Sequence, residues 1–121
     1  MIRLGTTLRC DLPPRHIWVV LSDPSANGGR ILTVNMTTLR ESCVDDACVL
    51  GPEDFVLLTH VTTIAYSRAQ AGPVAGIEGL IRAGQFLEVE SVPAATLAKM
   101  IAGARKSDQL APALKRLLPP A

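Results

Sequence analysis

Two runs of strand-forming residues, Ile17 to Leu21 and Ile31 to Met36, flank a turn-rich connection and predict a β-hairpin with a longer loop. Pro24 and the Asn27-Gly28-Gly29 stretch stop both strands, because proline removes a ladder donor and glycine reaches positive φ without strain. In the first strand Ile17, Val19 and Leu21 alternate with His16, Trp18, Val20 and Ser22. Both sets are largely apolar, which is the pattern of a central strand. In the return strand Leu32, Val34 and Met36 face one way and Thr33, Asn35 and Thr37 the other, which predicts one polar face.

Upstream, Ile2 to Leu8 is a short apolar, β-branched run, followed by an extended entry at Asp11-Leu12-Pro13-Pro14. Downstream, the segment from Arg40 to Gly51 is polar and acidic, with a turn at Asp45-Asp46 and a short strand from Ala47 to Leu50. After a turn at Gly51 to Asp54, the bulk of Val56, Leu57, Leu58, Val61 and Ile64 predicts a long strand from Phe55 to Tyr66, with His60 in its middle. Ile77, Leu80 and Ile81 then share a helical face stopped by Gly84, and Gln85 to Glu90 alternates as a short strand. Ser91 is placed to cap a helix with Pro93 in its first turn and Leu97, Met100, Ile101 and Ala104 as its apolar stripe. A last helical pattern spans Ser107 to Leu118. Strands first and helices last predict an α+β chain: a small, curled antiparallel sheet or barrel with C-terminal helices. The expected organisation is a single domain over residues 1–121, with a β-rich core in 1–70 and a mainly helical part in 71–121.

The chain has 121 residues and is 48% apolar, enough to bury a core. No apolar run approaches the roughly 20 residues that cross a bilayer, and residues 1–10 lack a signal-peptide core, so no membrane partner and a cytoplasmic location are expected. Cys10, Cys43 and Cys48 leave one thiol unpaired under any internal scheme, which fits a reducing compartment. Cys43, Cys48 and His60 contain no Cys-x-x-Cys pair and no clear fourth ligand, and a hydrolytic metal set of Cys48, His60 and Asp54 is equally incomplete. No metal and no other cofactor is expected.

The net charge is +1, with −1 in residues 1–70 and +2 in residues 71–121. One Trp, one Tyr and two Phe supply few stacking platforms. Binding to nucleic acid would therefore rest on a few placed residues or on a groove shared by two copies rather than on a basic surface. There is no phosphate-cradling glycine loop, dinucleotide fingerprint or nucleophile elbow. What remains is a polar set from separate segments: Arg15, His16, Asp23, Asn35, Thr37, Thr38, Asp54, His60 and Tyr66. Two histidines can divide RNA 2′-hydroxyl attack between them, one taking the nucleophile's proton and one protonating the leaving oxygen, while an arginine steadies the phosphorane charge.

The succession Arg-His-Ile-Trp-Val-Val-Leu-Ser from Arg15, then Arg-Ile-Leu-Thr-Val-Asn-Met-Thr-Thr from Arg30, and later Leu-Leu-Thr-His-Val-Thr-Thr-Ile-Ala-Tyr-Ser-Arg-Ala resembles the PemK/MazF-like toxin family over roughly residues 15 to 70. The resemblance implies an SH3-like barrel and metal-independent endoribonuclease action on single-stranded RNA as a homodimer. It also implies neutralisation by an antitoxin-like protein. Arg15 or His16 falls on the family's basic strand opening, and Thr37 and Thr38 fall on its Thr-Ser pair. Where catalytic members carry an arginine and an acid, this chain has Leu57 and Thr59 beside His60. The expected site is therefore His16, His60 and Arg15 for catalysis, with Thr37, Thr38, Asn35 and Tyr66 for substrate binding. The alternative is a catalytically inactive SH3-like module that binds a peptide or partner protein.

Overall fold

The computed structural model describes residues 1–10, 16–40 and 45–120. The predicted hairpin is its centre. Strand β2 (Ile17–Val20) and strand β3 (Arg30–Thr38) pair antiparallel, with Ile17 opposite Met36 and Val19 opposite Val34. Their connection holds a 3-10 turn at Pro24–Ala26, whose first free amide, on Ser25, donates to the Asp23 carboxylate at 3.0 Å. Gly28 and Gly29 follow with φ of 62° and 83°, values that a side chain would strain.

Strand β1 (Thr7–Cys10) pairs with β2, and β4 (Val49–Leu50) and β5 (Thr62–Pro73) extend the sheet beyond β3. Strand β6 (Phe86–Val89) returns to pair with β1. The order is β4-β5-β3-β2-β1-β6. β2 is a central strand, as its two apolar faces predict. Among the described residues no ladder joins β4 to β6, so of the curled antiparallel sheet or barrel that was expected the chain forms an open six-stranded sheet.

Helices cover both faces. Helix α2 (Ala94–Lys106) lays Met100 and Ala104 on Val19, Leu32, Val34, Met36 and Ile64. Helix α1 (Val74–Arg82) sets Ile77 and Ile81 over Leu8, Val20 and Ile31 on the opposite face. This second layer accounts for the fate of the predicted polar face of β3: Thr33 and Asn35 are buried, not solvated. The periodicity of α1 was legible, but its docking side was not.

Three boundaries differ from expectation. Helix α2 starts after Pro93, with no side-chain cap, so Ser91 does not serve as one. The last helical pattern is reduced to α3 (Pro112–Lys115), while Leu110 is buried and Leu114, Leu117 and Leu118 pack partly against the core. The long strand expected from Phe55 begins only at Thr62. Phe55 and Leu58 are the buried side chains of an irregular segment, whereas Val56 is 70% and Val61 51% exposed.

A polar clamp fixes that segment. The Asp54 carboxylate accepts the Gly51 amide at 2.9 Å and Lys99 Nζ at 2.7 Å, and the Asp54 carbonyl accepts the Thr96 hydroxyl. Two of these contacts come from α2, so they compete with the β-ladder that the residue types alone would favour. The Lys99 ammonium, assisted by the Gly51 amide, holds the Asp54 carboxyl below its ordinary value of 3.8. Because the folded value is the lower one, the stabilisation is present at neutral pH and is lost as pH falls through that depressed value. Asp54→Asn is expected to flatten the acid limb of a Tm-against-pH curve below about pH 4, as scanning calorimetry would show. An unchanged acid limb would contradict the role of the clamp.

The β3 and β5 ladder breaks between Thr33 and Asn35, where Thr33 faces Gln70 but Asn35 faces Ala65. The bulge takes Tyr66 out of register. Its amide donates to the buried Asp45 carboxylate at 2.8 Å, and its hydroxyl donates to the Met100 carbonyl at 2.6 Å, tying sheet to helix.

Candidate active site

The end of the sheet that carries Thr37 and Thr38 is where the chain brings its polar residues together. β3 finishes there, opposite the first residues of β5: Thr37 pairs with Thr63 and Thr38 with Thr62. The irregular segment before β5 folds back over this end, and the Leu39 amide donates to the Val61 carbonyl at 3.0 Å. The result is an open cleft of ≈ 230 Å³ whose polar wall is formed by Thr37, Thr38, Thr59, His60 and Thr62. Its apolar floor comes from Ile17, Met36 and Leu58.

His60 is exposed on the rim, with its backbone carbonyl accepting the Thr62 hydroxyl at 3.0 Å. That bond fixes the short link between the loop and the strand while leaving the imidazole facing solvent. Thr37 and Thr38 are half-buried. The arrangement offers hydroxyl donors and one imidazole to a ligand, over an apolar base that can support a flat ring. Thr59, Thr62 and the exposed Leu57 were missed as lining residues. Threonine in a β-rich run reads as strand propensity, and only the fold-back of the segment turns it into a wall.

The other expected site residues divide. His16 does not line the cleft; it is half-buried just before β2, with its carbonyl accepting the Cys10 amide at 3.2 Å. Extending the β2 and β3 register by one residue sets it across from Thr37. Arg15 lies outside the described residues. Asn35 is 1% exposed and is not part of the cleft, because the second helical layer closes over its face of β3. Tyr66 is also excluded from substrate contact: its ring is fully buried and its hydroxyl is committed to Met100. Burial pushes its phenol well above the ordinary tyrosine range. Cys48, buried against Tyr66 and Gly103, has its thiol pushed up by the same desolvation, so its position is that of an inert core residue. Cys43 lies outside the described residues.

An open six-stranded antiparallel sheet with helices on both faces, and a cleft at one end of its central strands, defines an α+β architecture with the site on the sheet's rim. That architecture is MazF-like. It superimposes on the crystal structure of a MazE–MazF complex from Deinococcus radiodurans with a TM-score of 0.53, covering 84% of this chain and 89% of that one at 16% identity. An endoribonuclease in complex with its cognate antitoxin, from a mycobacterial species, gives a TM-score of 0.53 over 85% and 90% of the two chains at 19% identity. No family model matches the sequence, and no curated protein matches it. At such identities the likeness is one of fold. Among the described residues no helix is long and apolar enough to cross a membrane.

Proposed function

We propose that the chain is a toxin-type endoribonuclease of the MazF kind, acting on single-stranded RNA in the cytoplasm at the Thr37, Thr38 and His60 cleft. The observation that carries this reading is the convergence of three separated segments on one rim of a MazF-like sheet, with an imidazole among hydroxyls. The reaction is transesterification. The RNA 2′-oxygen bonds to the adjacent phosphorus as its proton leaves, and the bond from phosphorus to the 5′-oxygen breaks as that oxygen is protonated. The products are a 2′,3′-cyclic phosphate and a 5′-hydroxyl. His60 is the proton-transfer group on the rim, and Thr37 and Thr38 orient the scissile phosphate with their hydroxyls. His16, across from Thr37, is the second acid/base group, and Arg15 neutralises the phosphorane.

The exposed apolar side chains Val56, Leu57 and Val61 stand on the segment that walls the cleft. They form a surface on which an antitoxin-like protein can lay an apolar strip and cover the site. A homodimer with an SH3-like curl to each sheet completes the proposal, and its mass is accessible by sedimentation.

The test is cleavage of a mixed-sequence single-stranded RNA in EDTA by the folded wild-type protein. Fragments ending in 2′,3′-cyclic phosphate are expected. Intact RNA at protein concentrations well above stoichiometric would overturn the proposal and favour a binding module.

A further inference from the structure

Helix α1 spans one face of the sheet without closing on it. Val74, Ile77 and Ile81 pack against Leu8, Val20 and Ile31, yet no residue of the helix is buried, whereas α2 on the opposite face buries Met100 and Ala104 completely. The space left beside α1 is a cavity in two parts, joined where Thr33, Gln70, Ile77 and Leu80 border both. The more enclosed part, ≈ 250 Å³, is walled further by Leu8, Trp18 and Phe86. The wider part, ≈ 330 Å³, opens past Gly76, where a Cβ would meet nothing within 4 Å. The proposed ribonuclease reaction uses none of these residues.

The lining selects its occupant. Among the described residues no charged side chain borders either part. An ion entering the cavity would lose hydration without gaining a counter-charge, so the occupant is neutral. Water also gains little there, because an ordered molecule needs several polar partners and the inner wall is aliphatic and aromatic apart from Thr33 and Gln70. An apolar ring, by contrast, buries its surface against Trp18, Phe86, Ile77 and Leu80. An apolar cavity of about 150 Å³ accepts benzene. At ≈ 250 Å³ the inner part has room for two fused rings and is too small for a helix or strand of a partner protein.

A polar group at the junction of the two parts orients such a ring. Gln70 is exposed, and its carboxamide makes no hydrogen bond to a described residue. It stands opposite Thr33 in the register of β3 and β5, so strand alternation puts both side chains on the cavity's face of the sheet. Both residues border both parts, which brings the long Gln70 side chain within reach of whatever occupies either.

We propose that this cavity binds a neutral aromatic molecule of one or two fused rings carrying a single N–H or O–H donor, with the rings between α1 and Trp18 and the donor bonded to the Gln70 carboxamide oxygen. The inference stands apart from RNA cleavage, because the Thr37, Thr38 and His60 cleft shares no lining residue with the cavity.

Indole is the probe. The protein has one tryptophan, so in isotope-labelled protein the Trp18 side chain gives a single N–H cross-peak as a reporter, and unlabelled indole is silent. Titration is expected to shift that peak to saturation, with intermolecular NOEs from indole to the methyl groups of Ile77 and Leu80. N-methylindole, which keeps the rings and loses the donor, is expected to bind about tenfold more weakly. Indole-3-carboxylate, which adds a charge, is expected not to bind. Gln70→Met replaces an exposed side chain with one of like length and no amide, so the fold is retained. In that variant the tenfold preference for indole over N-methylindole is expected to vanish while both still bind, which a merely structural glutamine would not produce. The assignment is overturned by an unmoved Trp18 peak up to the solubility of indole, by NOEs that reach neither Ile77 nor Leu80, by equal binding of the carboxylate, or by a Gln70→Met variant that keeps the preference.

Discussion

His60→Ala is expected to lower the rate of single-stranded RNA cleavage by about 10²–10⁴-fold, while Tm stays within about 2 °C of wild type. The two halves of that expectation come from different features. Among the described residues the imidazole is the only titratable side chain bordering the cleft, so its removal takes out the proton-transfer group of the proposed reaction. It is exposed and its fold-stabilising bond is made by the backbone carbonyl, which alanine retains. Rates measured with a fluorogenic RNA, alongside a thermal melt of the same preparation, check both. A variant that melts normally and cleaves at the wild-type rate would remove His60 from the mechanism.

Gly103→Ala is expected to destabilise the fold by about 2 kcal/mol, a fall in Tm of roughly 8 °C for a chain of this size. Alanine would ordinarily improve a helix by about 1 kcal/mol. Here its Cβ would sit 2.6 Å from the Tyr66 hydroxyl oxygen, 2.8 Å from Cys48 Cβ and 3.0 Å from the Ala47 carbonyl oxygen. The phenol cannot retreat freely, because its bond to the Met100 carbonyl holds it in place, and the Ala47 contact is with backbone. Helix α2 must therefore lift off the sheet, and the loss outweighs the propensity gain. Tyr66→Phe removes one of the clashing atoms, so the double variant is expected to be less destabilised than the sum of the singles by about 1 kcal/mol. Chemical denaturation of the four proteins measures this directly. A Gly103→Ala variant as stable as wild type would mean that α2 does not approach the sheet this closely.

The sequence made the hairpin, the central position of β2 and the apolar stripe of α2 legible, because each is written in a local period that one strand or helix must satisfy. Val34 and Met36 could be assigned a common face of β3, and Ile17 and Val19 one of β2, before any pairing was known; the register then sets the two pairs opposite each other. Gly103 reads in the sequence only as a weakening of α2. Its use as a close-approach point needs Tyr66, which is distant in the chain. Asn35 and Tyr66 illustrate the same limit from the other side. A polar residue at a strand position reads as solvent-facing or ligand-facing, and only the docking of α1 on one face and α2 on the other puts both in the interior.

The segment from Phe55 to Val61 was the largest departure. Its β-branched and apolar composition favours a strand, but Asp54 fastens its start to α2 and Gly51, and only Phe55 and Leu58 reach the core. That departure also makes the cleft. As a regular strand, His60 would have alternated through the sheet; as a fold-back, it reaches the rim beside Thr37 and Thr38. The placement of Thr37 and Thr38 at the end of β3 was legible from the hairpin, whereas their meeting with His60 was not.

The central claim is that RNA binds at the Thr37, Thr38 and His60 rim. The most direct measurement is a titration with a 2′-O-methyl RNA oligomer, which lacks the attacking hydroxyl and stays intact, followed through the imidazole resonances of the two histidines and the Trp18 indole. The account predicts saturable shifts at His60 and, more weakly, at His16, with the Trp18 peak unmoved on the far face of the sheet. An RNA that binds and leaves the His60 resonance where it was would contradict it.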